Sequence, residues 1–395
     1  MSKGLKGVFC CDEPVLIDEQ GSYYSSTMDS RSLEKYLQLV DSLVMCMPTK
    51  FFASSERQNE YLALDAARFQ LKSVLDLSTL RNFLFKRRHL KKQLVQALEE
   101  ADILIVRLPS LIGYIAIDVA RAMGKPYLVE VVDCAWSSSW HHSIRGKLVA
   151  VPSFLMMRRS VKQASHAMYV TQHFLQQRYP SKGSMLSCSD VNLPESDELV
   201  LLQRDVKIAR RHLREPIVLG TVAAVDQKYK AQQDVFEAMA RLKEEGYRFR
   251  YKLVGDGNQR NLRKHLERLN LVGEVEFLGP LSQGELLKFF DEIDVYIQPS
   301  RTEGLPKALL EAMSRGCPAI GTNVGGIPEL LERGAIYEAG EIEGLNRLLR
   351  ESVAKPWMYE RAKVNFKRAR YYESGHLAAV REVCYAEVRA VCMDK

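Results

Sequence analysis

Residues 299–332 read PSRTEGLPKALLEAMSRGCPAIGTNVGGIPELLE. The five residues before them, Asp294–Gln298 (DVYIQ), have the pattern of a buried strand. Pro306 suits a first helical turn, where its missing N–H costs nothing. Gly316, followed by Cys317-Pro318, stops that helix. Cys317–Gly321 (CPAIG) reads as the next short strand. A helix N-terminus at Gly304–Lys307 therefore opens just beyond the carboxyl end of a strand. In an open α/β sheet ligands bind there, and a helix N-terminus favours phosphate. Glu303 and Glu311 bracket this start with seven residues between them. Glu303 falls in a Gly/Pro loop, off any helix face.

The same alternation of apolar runs and amphipathic stretches extends outward through the chain and occurs twice, which predicts two parallel α/β units. In the first half Gly7–Cys11, Ser42–Met47, Ile103–Arg107, Tyr127–Val132 and Ala167–Val170 read as strands, with a helix over Ile112–Met123. In the second half Ile217–Val222, Arg250–Val254, Val275–Leu278 and Val295–Gln298 are strands. Helical stretches lie between them at Gln232–Glu245, Gln259–Asn270 and Gln283–Phe290. Asn192–Glu215 is poorly periodic and marks the boundary. Tyr371–Val391 is amphipathic and helical.

A chain of 395 residues exceeds one typical core, so two domains are expected. Hydrophobic content of 46% and charged content of 27% are those of a soluble globular protein. No run of eighteen apolar residues predicts a spanning helix, and the first residues lack a signal peptide's apolar region. The eight cysteines show no C-x-x-C pair. Cys10 and Cys11 read as buried strand residues, consistent with a reducing cytoplasm. Net charge is +7. Its basic residues cluster at Lys86-Arg87-Arg88, Lys91-Lys92, Arg145, Lys147 and Arg158-Arg159, interleaved with Phe83, Leu84, Phe85, Val149 and Phe154–Met157. That composition suits an anionic lipid surface or a solvated helix face. No nucleic-acid motif accompanies it.

The run PS-x-x-EG-x-P, LLEAM-x-x-G and GG-x-PEL around E-x7-E resembles the sugar-nucleotide site of the retaining family 4 glycosyltransferases. The resemblance implies the GT-B fold: two Rossmann-like parallel α/β domains facing a central cleft, with a C-terminal helix crossing back to the N-terminal domain. It sets the N-terminal, acceptor-binding domain at residues 1–200, rejoined by residues 366–395, and the nucleotide-sugar domain at residues 201–365. Glu311 should accept hydrogen bonds from the ribose hydroxyls, since a carboxylate suits a vicinal diol. By the same resemblance Glu303 faces the donor sugar, and the backbone at Gly304 and Leu305 meets hydroxyls and phosphate. Pro306 shapes the loop. Lys230 in YKAQQD matches the lysine that grips the diphosphate, with Lys228 two residues away as the alternative. Many members carry an arginine after the glycine of the preceding strand. Here Thr221 follows Gly220, and Arg301 is the candidate substitute. Gly255 of VGDG and Leu278 of FLG match the turns beside the nucleotide and its base.

The acceptor half matches more loosely. Asp133, at the exit of the strand Tyr127–Val132, is the candidate to contact the reacting sugar or the acceptor hydroxyl. His141 and His142 are alternatives. Gly21 resembles the small-residue loop facing the donor phosphate or acceptor. No Asp-x-Asp pair follows a strand, so no metal and no cofactor is expected. The donor is a nucleotide-diphosphate sugar, with a UDP-sugar expected. The partners implied are a lipid-linked saccharide acceptor and an anionic membrane surface, with the protein cytoplasmic and peripheral on the inner face of the cell membrane. Two other readings stand beside this one: a soluble GT-B transferase or epimerase with a small acceptor, and an inactive binding or scaffold subunit.

Overall fold

The apolar runs of the sequence form the central strands of two separate parallel sheets. The computed structural model describes residues 4–25, 28, 30–52, 61–77, 80–136, 144–212 and 214–393. The chain divides into two units, one of Met1–Trp136, Ala150–Asp190 and Ala378–Lys395, the other of Ser137–Val149 and Val191–Leu377.

In the first unit the strands are β1 (Lys6–Cys10), β2 (Val15–Ile17), β3 (Tyr23–Ser25), β4 (Ser42–Met47), β5 (Thr49–Phe51), β6 (Leu62–Leu64), β7 (Gln70–Ser73), β8 (Ile103–Leu108), β9 (Tyr127–Val131), β10 (His166–Tyr169) and β11 (Ser184–Ser187). Among the described residues, seven form a sheet in the order β11-β10-β9-β8-β1-β4-β7. Phe9 faces Met45 on one side and Ile105 on the other, in parallel register. Val8, Phe9, Cys10, Leu104, Ile105 and Val106 are fully buried. Strands covered on both faces need apolar residues at every position, and hence read as continuous runs. A smaller sheet, β5-β2-β3-β6, was not legible in advance. Its members are three residues long, too short for any period to show.

The last helix, Ser374–Met393, enters this first unit from Ala378 onward. There Arg381 donates to the Ser189 carbonyl at 3.3 Å and Arg389 to the Gln38 carbonyl at 2.6 Å. The expected return of the C-terminal helix to the N-terminal domain is therefore seen. Between this helix and the sheet lies a buried ionic cluster. Glu130 of β9 accepts from the Tyr36 hydroxyl at 2.5 Å and pairs with Lys35 at 3.4 Å. Arg107 of β8 pairs with Asp190. Burial alone raises the Glu130 carboxyl, but Lys35, Arg107 and the Tyr36 hydroxyl outweigh it and hold the group below its ordinary range.

The second unit has a sheet of β12 (Ile217–Val222), β13 (Phe249–Val254), β14 (Val275–Gly279), β15 (Val295–Gln298), β16 (Ala319–Thr322) and β17 (Ile336–Tyr337), ordered β14-β13-β12-β15-β16-β17. Leu219, Leu253, Ile297 and Ile320 pack with Phe236 and Leu348 in its core. Each such side chain stabilises the fold by about 1.5–3 kcal/mol on burial. The chain lays down β12, β13 and β14 in one direction, then returns to the other side of β12 with β15. The strand order thus reverses between β12 and β15, and ligand crevices open at such a point.

The poorly periodic stretch before β12 contains a regular helix, Glu198–Arg210. Its period is obscured because a charged residue faces inward. Arg204 is 3% exposed and donates to the carbonyls of Phe290 at 2.6 Å and Ile293 at 2.8 Å. An arginine whose donors are satisfied can occupy a position that a hydropathy pattern reserves for leucine.

Candidate active site

At the switch point of the second unit the ends of β12 and β15 carry two loops that hold each other. Gln298 closes β15, and the loop after it contains Glu303. The Glu303 Oε1 atom accepts three hydrogen bonds: from Lys230 Nζ at 2.7 Å, from Ser300 Oγ at 2.6 Å and from Gln298 Nε2 at 2.9 Å. Side-chain exposure of 19% for Lys230 and 10% for Glu303 places the pair inside the surface, where charge-assisted bonds are less screened.

Lys230 arrives from β12 through a short 3₁₀ turn, Lys228–Lys230. Ala231 follows in the left-handed region at φ 53°, and the helix Gln232–Glu244 starts at once. A non-glycine residue in that conformation is a local strain held by its surroundings. Two contacts hold it here. The Arg301 N–H donates to the Tyr229 carbonyl at 2.7 Å, and the Arg301 guanidinium reaches both oxygens of Asp234 at 3.0 and 2.8 Å. Burial raises the Asp234 carboxyl, and Arg301 counters it. The arginine that the sequence offered for a diphosphate is thus engaged with Asp234 and braces the Lys230 turn. Lys228 is exposed.

The GG-x-PEL segment underlies the Glu303 loop. Gly325 has φ 58°, and a Cβ built on it would lie 1.9 Å from the Glu303 carbonyl oxygen. The neighbouring Gly326 N–H donates to the Gly304 carbonyl at 2.7 Å. Backbone here packs directly on backbone, which only glycine permits. Pro306 stands at the N-cap of the helix Lys307–Ser314, one place before the first turn that its sequence position suggested. Gly304 and Leu305 precede it and are half-buried. Leu309, Leu310, Ala312 and Met313 face the core. Glu311 lies off that face, and burial raises its carboxyl while Lys307 counters it.

Gly255 follows β13 at φ 144°, and a Cβ there would lie 2.1 Å from the Ala223 carbonyl at the end of β12. This explains VGDG as a turn pressed on the neighbouring strand exit. Gly255 N–H also donates to the Gly279 carbonyl at 2.9 Å, and half-buried Leu278 is the residue before it in β14.

The candidates of the first unit are more scattered. Asp133 follows β9, and its carboxylate accepts from the Cys134 N–H at 2.7 Å. His141 and His142 lie outside the described residues, as do the side chains of residues 83, 84, 145 and 147. Gly21 is at the turn between β2 and β3, with φ 79°, in the small sheet. The loop directly after β1 holds Asp12 instead. This sheet also reverses order, between β1 and β8. There the helix Leu111–Ala122 begins, and Asp12 accepts from the N–H groups of Leu111 at 2.7 Å and Ile112 at 2.9 Å and from Ser110 Oγ at 2.8 Å. The anion-receiving helix start of the first unit is filled by its own carboxylate.

Sequence reasoning missed Gln298, Ser300, Asp234 and Gly325 as parts of the site. Ser300 and Gly325 lie within the quoted motif, and Asp234 within YKAQQD. Gln298 had a signal as well: an amide at the end of an otherwise apolar strand, 2% exposed.

Residues 205–369 match the family model described as glycosyl transferases group 1. That span covers both loops of the switch point. That segment is a group 1 glycosyltransferase domain. The glycosyltransferase is 26% identical to Protein CapJ of Staphylococcus aureus over 377 residues, 94% of this chain and 93% of CapJ. Amylovoran biosynthesis glycosyltransferase AmsK of Erwinia amylovora is 32% identical over 150 residues, 35% of this chain and 37% of AmsK. Among solved structures, HepE of Anabaena in complex with UDP superposes with a TM-score of 0.65 at 16% identity, over 98% of this glycosyltransferase and all (100%) of HepE. Sucrose-phosphate synthase from Thermosynechococcus elongatus gives 0.69 at 14% identity, with 98% and 100% covered. These likenesses show the expected GT-B fold.

Proposed function

We propose that this chain transfers a sugar, with retention of anomeric configuration, from a nucleotide-diphosphate sugar to a lipid-linked saccharide during assembly of a capsular or extracellular polysaccharide. The observation that carries this reading is the convergence of Lys230 and Glu303 at the strand-order reversal of a group 1 domain, with Glu311 on the helix that follows. HepE is solved in complex with UDP and with UDP-glucose, and AmsK is an amylovoran biosynthesis glycosyltransferase. Both support a UDP-sugar donor and a polysaccharide product here.

In this proposal Lys230 and the backbone N–H groups near Gly304 neutralise the leaving diphosphate as the glycosidic bond breaks. Fixed cations and dipoles aimed at growing charge act with little reorganisation. Glu303 orients the donor sugar and Glu311 holds the ribose. The acceptor hydroxyl attacks on the face that the diphosphate leaves, and its proton passes to the departing phosphate oxygen. Asp133 positions a hydroxyl on the acceptor side. Cationic neutralisation by Lys230 needs no divalent metal, so turnover should survive a strong chelator.

The membrane part of the proposal rests on two helices. Leu80–Glu99 exposes Phe85 by 79%, beside exposed Lys86, Arg87, Arg88, Lys91 and Lys92. Ile144–Lys162 carries exposed Val151, Leu155, Arg158 and Lys162 at helical spacing on one stripe. Apolar residues beside cations suit the boundary of an anionic bilayer. Among the described residues no helix is long and apolar enough to cross a membrane.

The test is a panel of UDP- and GDP-sugars read by nucleoside diphosphate release, together with co-sedimentation on anionic vesicles. Release from at least one donor and vesicle binding that salt weakens are expected. No release from any donor would overturn the reading in favour of a binding subunit. Release without vesicle binding would favour a transferase with a soluble acceptor.

A further inference from the structure

Gln298 is the last residue of β15, and all of its amide is engaged. Its Oε1 accepts from the Tyr296 hydroxyl at 2.9 Å. Its Nε2 donates to Ser300 Oγ at 3.0 Å and to Glu303 Oε1 at 2.9 Å. Turning the amide over would set its oxygen against the Glu303 carboxylate, so the Tyr296 hydroxyl and the Glu303 charge select one orientation. Tyr296 is fully buried, and burial pushes its hydroxyl well above the usual range, which keeps it a donor. Ser300 adds a second link: its Oγ donates to the same Glu303 oxygen, and its carbonyl accepts from Thr322 Oγ1 at 2.7 Å. Three donors thus converge on Glu303 Oε1. Among the described residues none donates to Oε2.

We propose that Gln298 is a positioning residue that fixes the two oxygens of Glu303 in different roles. Oε1 is tied to the protein, and Oε2 is left to accept from a hydroxyl of the donor sugar. Gln298 does not touch the sugar; it acts through Glu303. Without it only Ser300 and Lys230 hold the carboxylate, and Lys230 must also meet the leaving phosphate. The inference rests on the proposed function, in which Glu303 faces the donor sugar.

The experiment compares wild type, Gln298→Leu, Gln298→Glu and Tyr296→Phe, using the sugar nucleotide that the donor panel identifies. Binding of UDP alone is measured by calorimetry, and folding by thermal unfolding. Gln298→Leu should lower kcat by about 10- to 100-fold, the range for losing a hydrogen bond to a charged group. Its Kd for UDP should stay within about twofold of wild type, since UDP carries no donor sugar for Glu303 to meet. Gln298→Glu can donate to Glu303 only when protonated, so its rate relative to wild type should rise as pH falls. Tyr296→Phe leaves the amide in place but unlocked, and should show a smaller loss of kcat in the same direction.

Wild-type turnover in Gln298→Leu would overturn the inference and leave the proposed function standing. A Gln298→Leu loss shared equally by UDP binding and kcat would also overturn it, assigning a general structural role. Should Gln298→Leu fail to fold, Gln298→Glu and Tyr296→Phe decide by their pH dependence and kcat. No turnover by wild type on any donor would overturn the proposed function itself, and this inference with it.

Discussion

Lys230 and Glu303 stand 73 positions apart in the chain, and the amine of one lies 2.7 Å from the carboxylate of the other. Each comes from a different strand exit, and each is fixed by contacts independent of the pair. The Lys230 turn is braced by Arg301 and Asp234, and the Glu303 loop by Gly325 and Gly326. The pair therefore does not depend on its own attraction to exist. That is the arrangement expected of charges held ready for a third, incoming charge.

Lys230→Ala should reduce turnover by about one to two decades and donor affinity by less, because the leaving group's charge grows in the transition state. Lys228→Ala should stay near wild type. Steady-state kinetics alongside donor-binding calorimetry check this. Full turnover in Lys230→Ala would move the role to Lys228.

Glu311 carries a carboxyl raised by burial. A raised folded pKa means that the folded state binds the proton more tightly than the unfolded state. The resulting stability is fully present below the ordinary glutamate pKa and is lost as pH rises through the raised value. In its proposed role at the ribose, Glu311 needs the opposite form, the carboxylate. Glu311→Gln should therefore raise the unfolding temperature at neutral pH and weaken donor binding by about 1.5–3 kcal/mol. In wild type, donor affinity should fall as acidification passes through the raised pKa. A Gln variant with unchanged affinity would remove Glu311 from the nucleotide site.

Gly325→Ala adds one carbon 1.9 Å from the Glu303 carbonyl oxygen, at a φ of 58°. The loop must shift, and strained backbone of this kind costs about 1–3 kcal/mol. Turnover should drop with the severity of a Glu303 substitution while unfolding stays cooperative. Activity and a thermal melt, measured on one preparation, test it.

Glu130→Ala removes one partner from a largely buried ionic cluster, which should cost about 3–5 kcal/mol. The folded carboxyl is held below its ordinary range. Its contribution is therefore present above the unfolded glutamate pKa and lost as pH falls through the lower folded value. Wild type should lose stability over that acid window, and the variant should lose less there. Urea unfolding at a series of pH values measures both.

Asp133→Asn should slow transfer without trapping sugar on the enzyme, as same-face attack requires. Intact-protein mass spectrometry after donor addition is the check. A glycosyl adduct on Asp133, or an inverted product by NMR, would replace that mechanism with double displacement or direct inversion.

The second unit was legible in the sequence because its site is local. Glu303, Gly304, Pro306, Glu311 and Gly325 fall within one run whose strand, loop and helix announce themselves by Gly and Pro. The partners of that run were harder to read. Lys230 and Asp234 reach it across the sheet, and no spacing in one sequence reports a contact over 73 positions. Arg301 shows the limit well: its place suggested an anion ligand, and its guanidinium is engaged with Asp234. In the first unit the long buried strands were plain, but β2, β3, β5 and β6 were not. Asp12 carries no signal in its own neighbourhood, and it caps a helix nearly a hundred residues away.

The closing helix has a consequence for how this protein is made. The first unit is built from the beginning of the chain and from its last segment, Ala378–Lys395, with the second unit synthesised in between. Domains generally fold as units while the ribosome is still at work. Here the second unit can complete its core during translation, whereas the first must wait for the final residues. Until Arg381 and Arg389 emerge, the buried ionic cluster around Glu130 of the sheet lacks its cover. Loss of Ala378–Lys395 should thus leave a second unit that folds and a first unit that a protease removes.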